Sequence, residues 1–184
     1  MQRKTTYGLL LLGLGAVTAT VVVLEKTSSY DSTATQVNPH APAQTRQAIE
    51  IAAPPETVWR LLSQVDQWAA WQPDITSPHL NGPFQVGSSF DWQSGGLHIH
   101  STLHTVEPLA RIGWSGAAFG TFAVHNWTLT RLPNGHTEVR VDEGMEGWLV
   151  RLLRPVFQRG LDKSIQFWLA RLKQAAENSL SLVP

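Results

Sequence analysis

The chain contains no cysteine among its 184 residues. This excludes disulfides, thiol catalysis, cysteine-ligated metals and lipid attachment at an N-terminal cysteine, and it leaves the redox compartment open. Net charge is missing too: 14 basic residues balance 14 acidic ones. No overall field and no basic run point to nucleic acid as a partner. A nucleotide-binding loop is also lacking, because Gly113-x-x-Gly116 and Gly95-Gly96 do not sit between a strand and a helix as a phosphate cradle requires.

What is present is tryptophan. Eight Trp supply large apolar area, each with one N–H donor that needs an acceptor when buried, a combination suited to a core, a cavity wall or an interface. A hydrophobic content of 42% allows an ordinary buried core, and the length suits one domain with accessory sequence.

The N-terminus stands apart. Tyr7–Leu24 is uncharged and follows Arg3 and Lys4. At about 1.5 Å per residue it would reach roughly 27 Å as a helix, close to the ~30 Å hydrocarbon core of a bilayer. We therefore expect a transmembrane anchor over residues 1–26, with a cleaved signal peptide as the competing reading. Val21-Val22-Val23-Leu24 runs past Val17-x-Ala19, the best small-residue cleavage pattern, which disfavours cleavage. The charge bias across the segment places the N-terminus in the cytoplasm and the domain on the outer side. An exported soluble protein is the alternative if cleavage occurs. Residues 27–44, rich in Ser, Thr, Ala and Pro, read as a flexible tether spanning roughly 25 Å, with the folded domain over 45–180.

In the domain, Gln47, Ile49 and Ile51 alternate with Ala48, Glu50 and Ala52 as in a strand. Pro54-Pro55 ends it and opens a helix whose Val58, Leu61, Leu62 and Val65 share one face. Trp68 and Trp71, three apart, belong to a second short helix stopped by Pro73. Strands are expected near 76–80, 88–94, 97–106, 110–117, 121–131 and 136–145. Pro133-Asn134-Gly135 predicts a three-residue hairpin loop with Gly in the left-handed position. That register sets Leu129 opposite Val139, Trp127 opposite Val141 and His125 opposite Glu143, all on one inner face. The C-terminal region predicts two apolar helical stripes, Leu149-Leu152-Leu153-Val156 and Leu161-Ile165-Trp168-Leu169-Leu172-Ala176. Pro155 and Gly160 should bend or break the helix between them. The basic residues between Arg151 and Lys173 fall mostly off these stripes, as a solvated face or a contact for anionic headgroups.

Several of these segments resemble the SRPBCC or START-like helix-grip superfamily of lipid-transfer domains, polyketide cyclase/dehydrases and plant pathogenesis allergens. The similar residues are Ile51-Ala52-Ala53-Pro54-Pro55-Glu56-Thr57-Val58-Trp59-Arg60-Leu61-Leu62, Trp68-x-x-Trp71-x-Pro73, Val106-Glu107-Pro108, Arg111-Ile112-x-Trp114, His125-x-Trp127-x-Leu129 and Phe167-Trp168-Leu169-x-x-Leu172-Lys173. The resemblance implies an α+β helix-grip fold. A curved antiparallel sheet of about seven strands would wrap around the long C-terminal helix, with two short helices after the first strand and an apolar cavity between helix and sheet.

The expected partner is an apolar small molecule such as a lipid, isoprenoid or polyketide. Trp59, Phe90, Trp92, Trp114, His125, Trp127, Val141, Glu143 and Trp168 are the candidate ligand-binding residues. Cyclase or dehydratase chemistry is the alternative. Side chains opposed on antiparallel strands have Cβ atoms about 4.5–5.5 Å apart, so Glu143 could orient His125 for proton abstraction from a bound carbonyl compound. A structural module without ligand is the third reading. His98, His100 and His104 share one strand face, but the more apolar Leu97, Ile99, Ser101 and Leu103 should take the inner side, so no metal is assigned. Nothing in the sequence calls for a cofactor.

Overall fold

The structure, a computed structural model, describes residues 20–27, 30–31 and 33–180. A helix over 20–27 (α1) precedes β1 (Ala43–Ile51), α2 (Pro55–Ser63) and a 3₁₀ helix, Val65–Ala70. Six strands follow: β2 (Ile75–Asn81), β3 (Ser89–Ser94), β4 (Leu97–Glu107), β5 (Arg111–Ala118), β6 (Thr121–Arg131) and β7 (Thr137–Glu146). The chain closes in α3 (Trp148–Leu152) and α4 (Arg154–Leu180).

The strands form one antiparallel sheet in the order β1-β7-β6-β5-β4-β3-β2. Strands β2 to β7 run as a meander, and β1 joins the far edge beside β7. The helix pair after β1 therefore carries the chain from one sheet edge to the other. On the concave side, α4 lies across the sheet, about 40 Å long at 1.5 Å per residue. This is the α+β helix-grip arrangement expected from the sequence.

Local chemistry accounts for the element boundaries. Pro55 sits in the first turn of α2, where its missing N–H costs nothing, and Glu56 follows at the positive end of the helix. The next helix is of 3₁₀ type, so residues three apart eclipse. Trp68 and Trp71 consequently project together and meet Trp168 of α4 at ring-centroid distances of 5.3 and 5.5 Å. The β6–β7 hairpin has the expected register, His125 opposite Glu143 and Trp127 opposite Val141, and Gly135 takes φ +82°.

Trp68 is the hub of the core. Its ring also meets Phe90, Trp92 and Trp114, and its indole N–H donates to the Leu62 carbonyl at 3.0 Å. The junction between α2 and the 3₁₀ helix thus satisfies the one polar atom that burying this ring would otherwise orphan.

Two C-terminal expectations need correction. The helix breaks at Leu153, just ahead of Pro155, and runs unbroken through Gly160. Pro155 falls in the first turn of α4, the position a proline tolerates. Because the break interrupts the helical phase, the stripe Leu149-Leu152-Leu153-Val156 does not form an inner face. Val150 is what α3 buries, while Leu152, Leu153 and Val156 are exposed.

The first strand begins at Ala43, two residues ahead of the expected domain start. The described residues before it make defined contacts on the outer face of β6 and β7. Tyr30 stacks on Phe122 with centroids 4.5 Å apart, Asn126 donates to the Thr35 carbonyl, and Val37 packs where Gly144 has no side chain. This segment covers Phe122 and Val124, apolar residues that β6 turns away from the core.

The expected anchor, Tyr7–Leu24, lies mostly outside the described residues. Among the described residues no helix is long and apolar enough to cross a membrane.

Candidate functional site

Between α4 and the concave face of the sheet lies a cavity of about 330 Å³. Inward positions of β3 to β7 form its walls by alternation. Trp92, Ser101, Trp114, Trp127, His125 and Glu143 come from the sheet, and Phe157, Leu161, Ile165 and Trp168 from α4. Small residues make the space. Gly116 and Ala118 on β5 face Ala123 and Thr121 on β6 across the ladder, where larger side chains would close it.

Six of the nine residues expected to bind ligand line this cavity: Trp92, Trp114, His125, Trp127, Glu143 and Trp168. The other three do not. Phe90 is fully buried behind Trp68 and Trp114. Val141 is fully buried between Trp127 and Gln47 in the sheet ladder. Trp59 lies on α2 and packs edge-on against Phe84, 6.2 Å away. Alternation marks an inward residue, but it does not tell cavity wall from solid core; the position of α4 decides that.

His125 and Glu143 meet as the register requires. The imidazole Nδ1 lies 2.8 Å from Glu143 Oε2, with the two side chains 12% and 5% exposed. The approach is close but off the line of a well-directed hydrogen bond, so that Oε2 has no aligned donor. The imidazole lies flat on Trp114, with centroids 4.9 Å apart and planes 20° from parallel. Its edge-on neighbour Trp92 is at 6.5 Å. The ring is therefore held between two indoles and a carboxylate. Among the described residues no protein group hydrogen-bonds to its Nε2.

A further polar group is Ser101, a residue the sequence reading placed in the apolar inward set of β4. Its hydroxyl oxygen accepts the Trp92 indole N–H at 3.0 Å, which leaves the hydroxyl hydrogen to donate elsewhere. The signal was a lone hydroxyl among Leu97, Ile99 and Leu103. The indole N–H groups of Trp114 and Trp127 are buried without an acceptor.

His98 and His100 lie on the outer side of β4, as expected. His100 Nδ1 contacts Asp91 Oδ1 at 2.7 Å. The register of β4 against β5 slips at His104, which is left as an extra bulged residue. Its ring lies over Gly113 and contacts the Thr105 hydroxyl at 2.9 Å. Burial pushes the His104 imidazole below the ordinary histidine range. Among the described residues no group of three or more side chains has the geometry to hold a metal ion.

Residues 42–177 match the family model described as polyketide cyclase / dehydrase and lipid transport. The chain belongs to this family. No match to a curated protein was found. Solved structures share the fold at low identity. A hypothetical protein, jhp0584, from Helicobacter pylori is 16% identical with a TM-score of 0.68, covering 80% of this chain and 99% of its own. The Zhui aromatase/cyclase from Streptomyces sp. R1128 is 15% identical with a TM-score of 0.66, covering 74% and 94%. The di-domain ARO/CYC StfQ from the steffimycin biosynthetic pathway is 18% identical with a TM-score of 0.62, covering 74% of this chain and 46% of its own. At these identities the likeness establishes the fold; the roles in the family's description, cyclase, dehydrase and lipid transport, must be separated by the site itself.

Proposed function

We propose that this protein binds and carries an apolar small molecule of lipid, isoprenoid or polyketide type in the cavity between α4 and the sheet. The cavity carries this reading. Its 330 Å³ falls within the range of about 300–1,000 Å³ usual for small-molecule sites, and its walls are mainly apolar with a few convergent polar groups. A module serving only as a structural or interaction unit would have no use for a void lined by four indoles. The Ser101 hydroxyl and the imidazole Nε2 of His125 would orient one polar end of the ligand. Native mass spectrometry of the purified full chain should find a retained apolar molecule, or stoichiometric uptake of an added fatty acid. A protein that stays ligand-free through such a series would overturn the reading.

The second reading is a cyclase or dehydratase, and the enclosed contact between His125 and Glu143 favours it. Once a bound ligand turns the imidazole into line, Glu143 would hold the tautomer of His125, and Nε2 would take a proton adjacent to a ligand carbonyl. The Ser101 hydroxyl, in the same cavity wall, would be the donor to the developing oxyanion. The readings part at His125→Gln. Carriage predicts uptake within a few-fold of the parent, whereas catalysis predicts retained uptake with turnover of a polyketone lost by about 10²-fold or more.

We further propose that Tyr7–Leu24 anchors the chain in a membrane with the domain on the outer side, the alternative being export after cleavage. The support is the uncharged run behind Arg3 and Lys4. Fractionation tests it: full-length chain in the soluble fraction, or a mature N-terminus near Thr20 or Thr35, would contradict an anchor.

A further inference from the structure

One end of the domain gathers most of its exposed apolar surface. Antiparallel pairing puts the β3–β4 turn, the β5–β6 turn and the end of β7 at this end. The chain continues there from β7 into α3, and the exposed lining residues Leu97 and Val156 mark the cavity mouth there. The described residues include ten large hydrophobic side chains that are exposed. Five of them, Leu97, Phe119, Leu152, Leu153 and Val156, lie at this end. Three more, Val22, Val23 and Leu24, lie on α1. Only Val86 and Leu109 are elsewhere, both in turns at the opposite end.

The helix α1 is tied to the same rim. Glu25 accepts the Gly120 backbone N–H at 3.0 Å and the Trp148 indole N–H at 2.8 Å. Phe119 packs edge-on against Trp148, and Leu149 N–H donates to the Gly120 carbonyl. Gly147, at φ +116°, comes so close to that carbonyl that a side chain would collide with it. The last residues of the uncharged run Tyr7–Leu24 are thereby fixed beside the cavity mouth.

Charge completes the pattern. From Trp148 to Gly160 the chain carries Arg151, Arg154 and Arg159 and no acid. Arg151 to Val156 are exposed without interruption. Apolar residues interleaved with arginine on one exposed corner have the chemistry of an interfacial segment, with side chains in the acyl boundary and guanidinium groups among anionic headgroups. Cations at such a corner are drawn to an anionic surface.

We propose that this rim docks on an anionic lipid bilayer and opens the cavity directly onto it. With Tyr7–Leu24 as the anchor proposed above, the Glu25 contacts would hold the mouth toward the same membrane. This goes beyond the carriage of a ligand and would survive its failure, because orientation on the bilayer is read without ligand.

The absence of cysteine makes the test clean. Full-length chain carrying Leu152→Cys or Val86→Cys receives an environment-sensitive fluorophore and is bound to phosphatidylcholine–phosphatidylglycerol vesicles containing a spin-labelled quencher lipid. Quenching should be several-fold stronger at position 152 than at 86. Adding Arg151→Glu and Arg154→Glu should reduce it while the protein stays vesicle-bound. Equal quenching at the two positions would overturn the proposal, as would quenching undiminished in pure phosphatidylcholine. A lipid-free blue shift at position 152 that grows with protein concentration would assign the patch to a second copy and overturn it as well. An unchanged thermal transition certifies each variant.

Discussion

His104 shows how one residue couples a sheet irregularity to pH. Its ring fills the space a side chain at Gly113 would need, and a Cβ there would also come within 2.8 Å of Asn126 Oδ1. Gly113→Ala should therefore destabilise the fold by about 1–3 kcal/mol, the usual range for overpacking, as measured by denaturant unfolding. Burial lowers the folded-state pKa of His104, so the folded protein resists a proton that the unfolded chain accepts near pH 6.5. The stability this neutral histidine allows is present above that pH and is lost as pH falls toward its folded value. Between pH 7.5 and 5.5 the parent should lose more thermal stability than His104→Asn. Equal losses would place the effect elsewhere. Periodicity put His104 on the outer face, but the bulge that half-buries it has no residue pattern of its own. It arises from pairing with a distant strand.

Among the elements, the strands and the hairpin register were legible because alternation and turn residues act locally. Gly135 and the inward Trp127 and Val141 were enough to bring His125 to Glu143. The C-terminal helices were less so. Pro155 announced an interruption, but which side chains faced inward depended on α3 docking by Val150. Trp59 and Phe90 were misjudged as cavity wall for a similar reason: a Trp behind the wall has the same sequence signature as a Trp in it. Trp68 is the clearest case of a ring whose importance only packing reveals. Joining the 3₁₀ helix to the sheet and to α4, it should cost about 3–5 kcal/mol when cut to Ala. Chemical denaturation measures this directly, and a loss below about 1 kcal/mol would contradict its place as the hub.

For the whole molecule, the cavity reflects a division of labour between large and small residues. Tryptophans on the sheet and on α4 hold the walls apart, while Gly116, Ala118, Ala123 and Gly160 leave the volume between them. Gly160 is the most useful of these, because a Cβ added there meets no atom within 4 Å. A glycine inside a helix costs about 0.8–1.0 kcal/mol relative to alanine, so Gly160→Ala should stabilise the protein by up to that amount. The larger Gly160→Leu would place its side chain in the cavity opening without forcing the backbone. Filling the site is thus separable from damaging the fold. The most direct test is a titration of parent and Gly160→Leu with 1-anilinonaphthalene-8-sulfonate, followed by energy transfer from tryptophan. Binding should be saturable and of single stoichiometry in the parent, and at least ten-fold weaker in Gly160→Leu at equal or higher thermal stability. Saturable binding of equal strength in both proteins, or none in the parent, would contradict an internal ligand site.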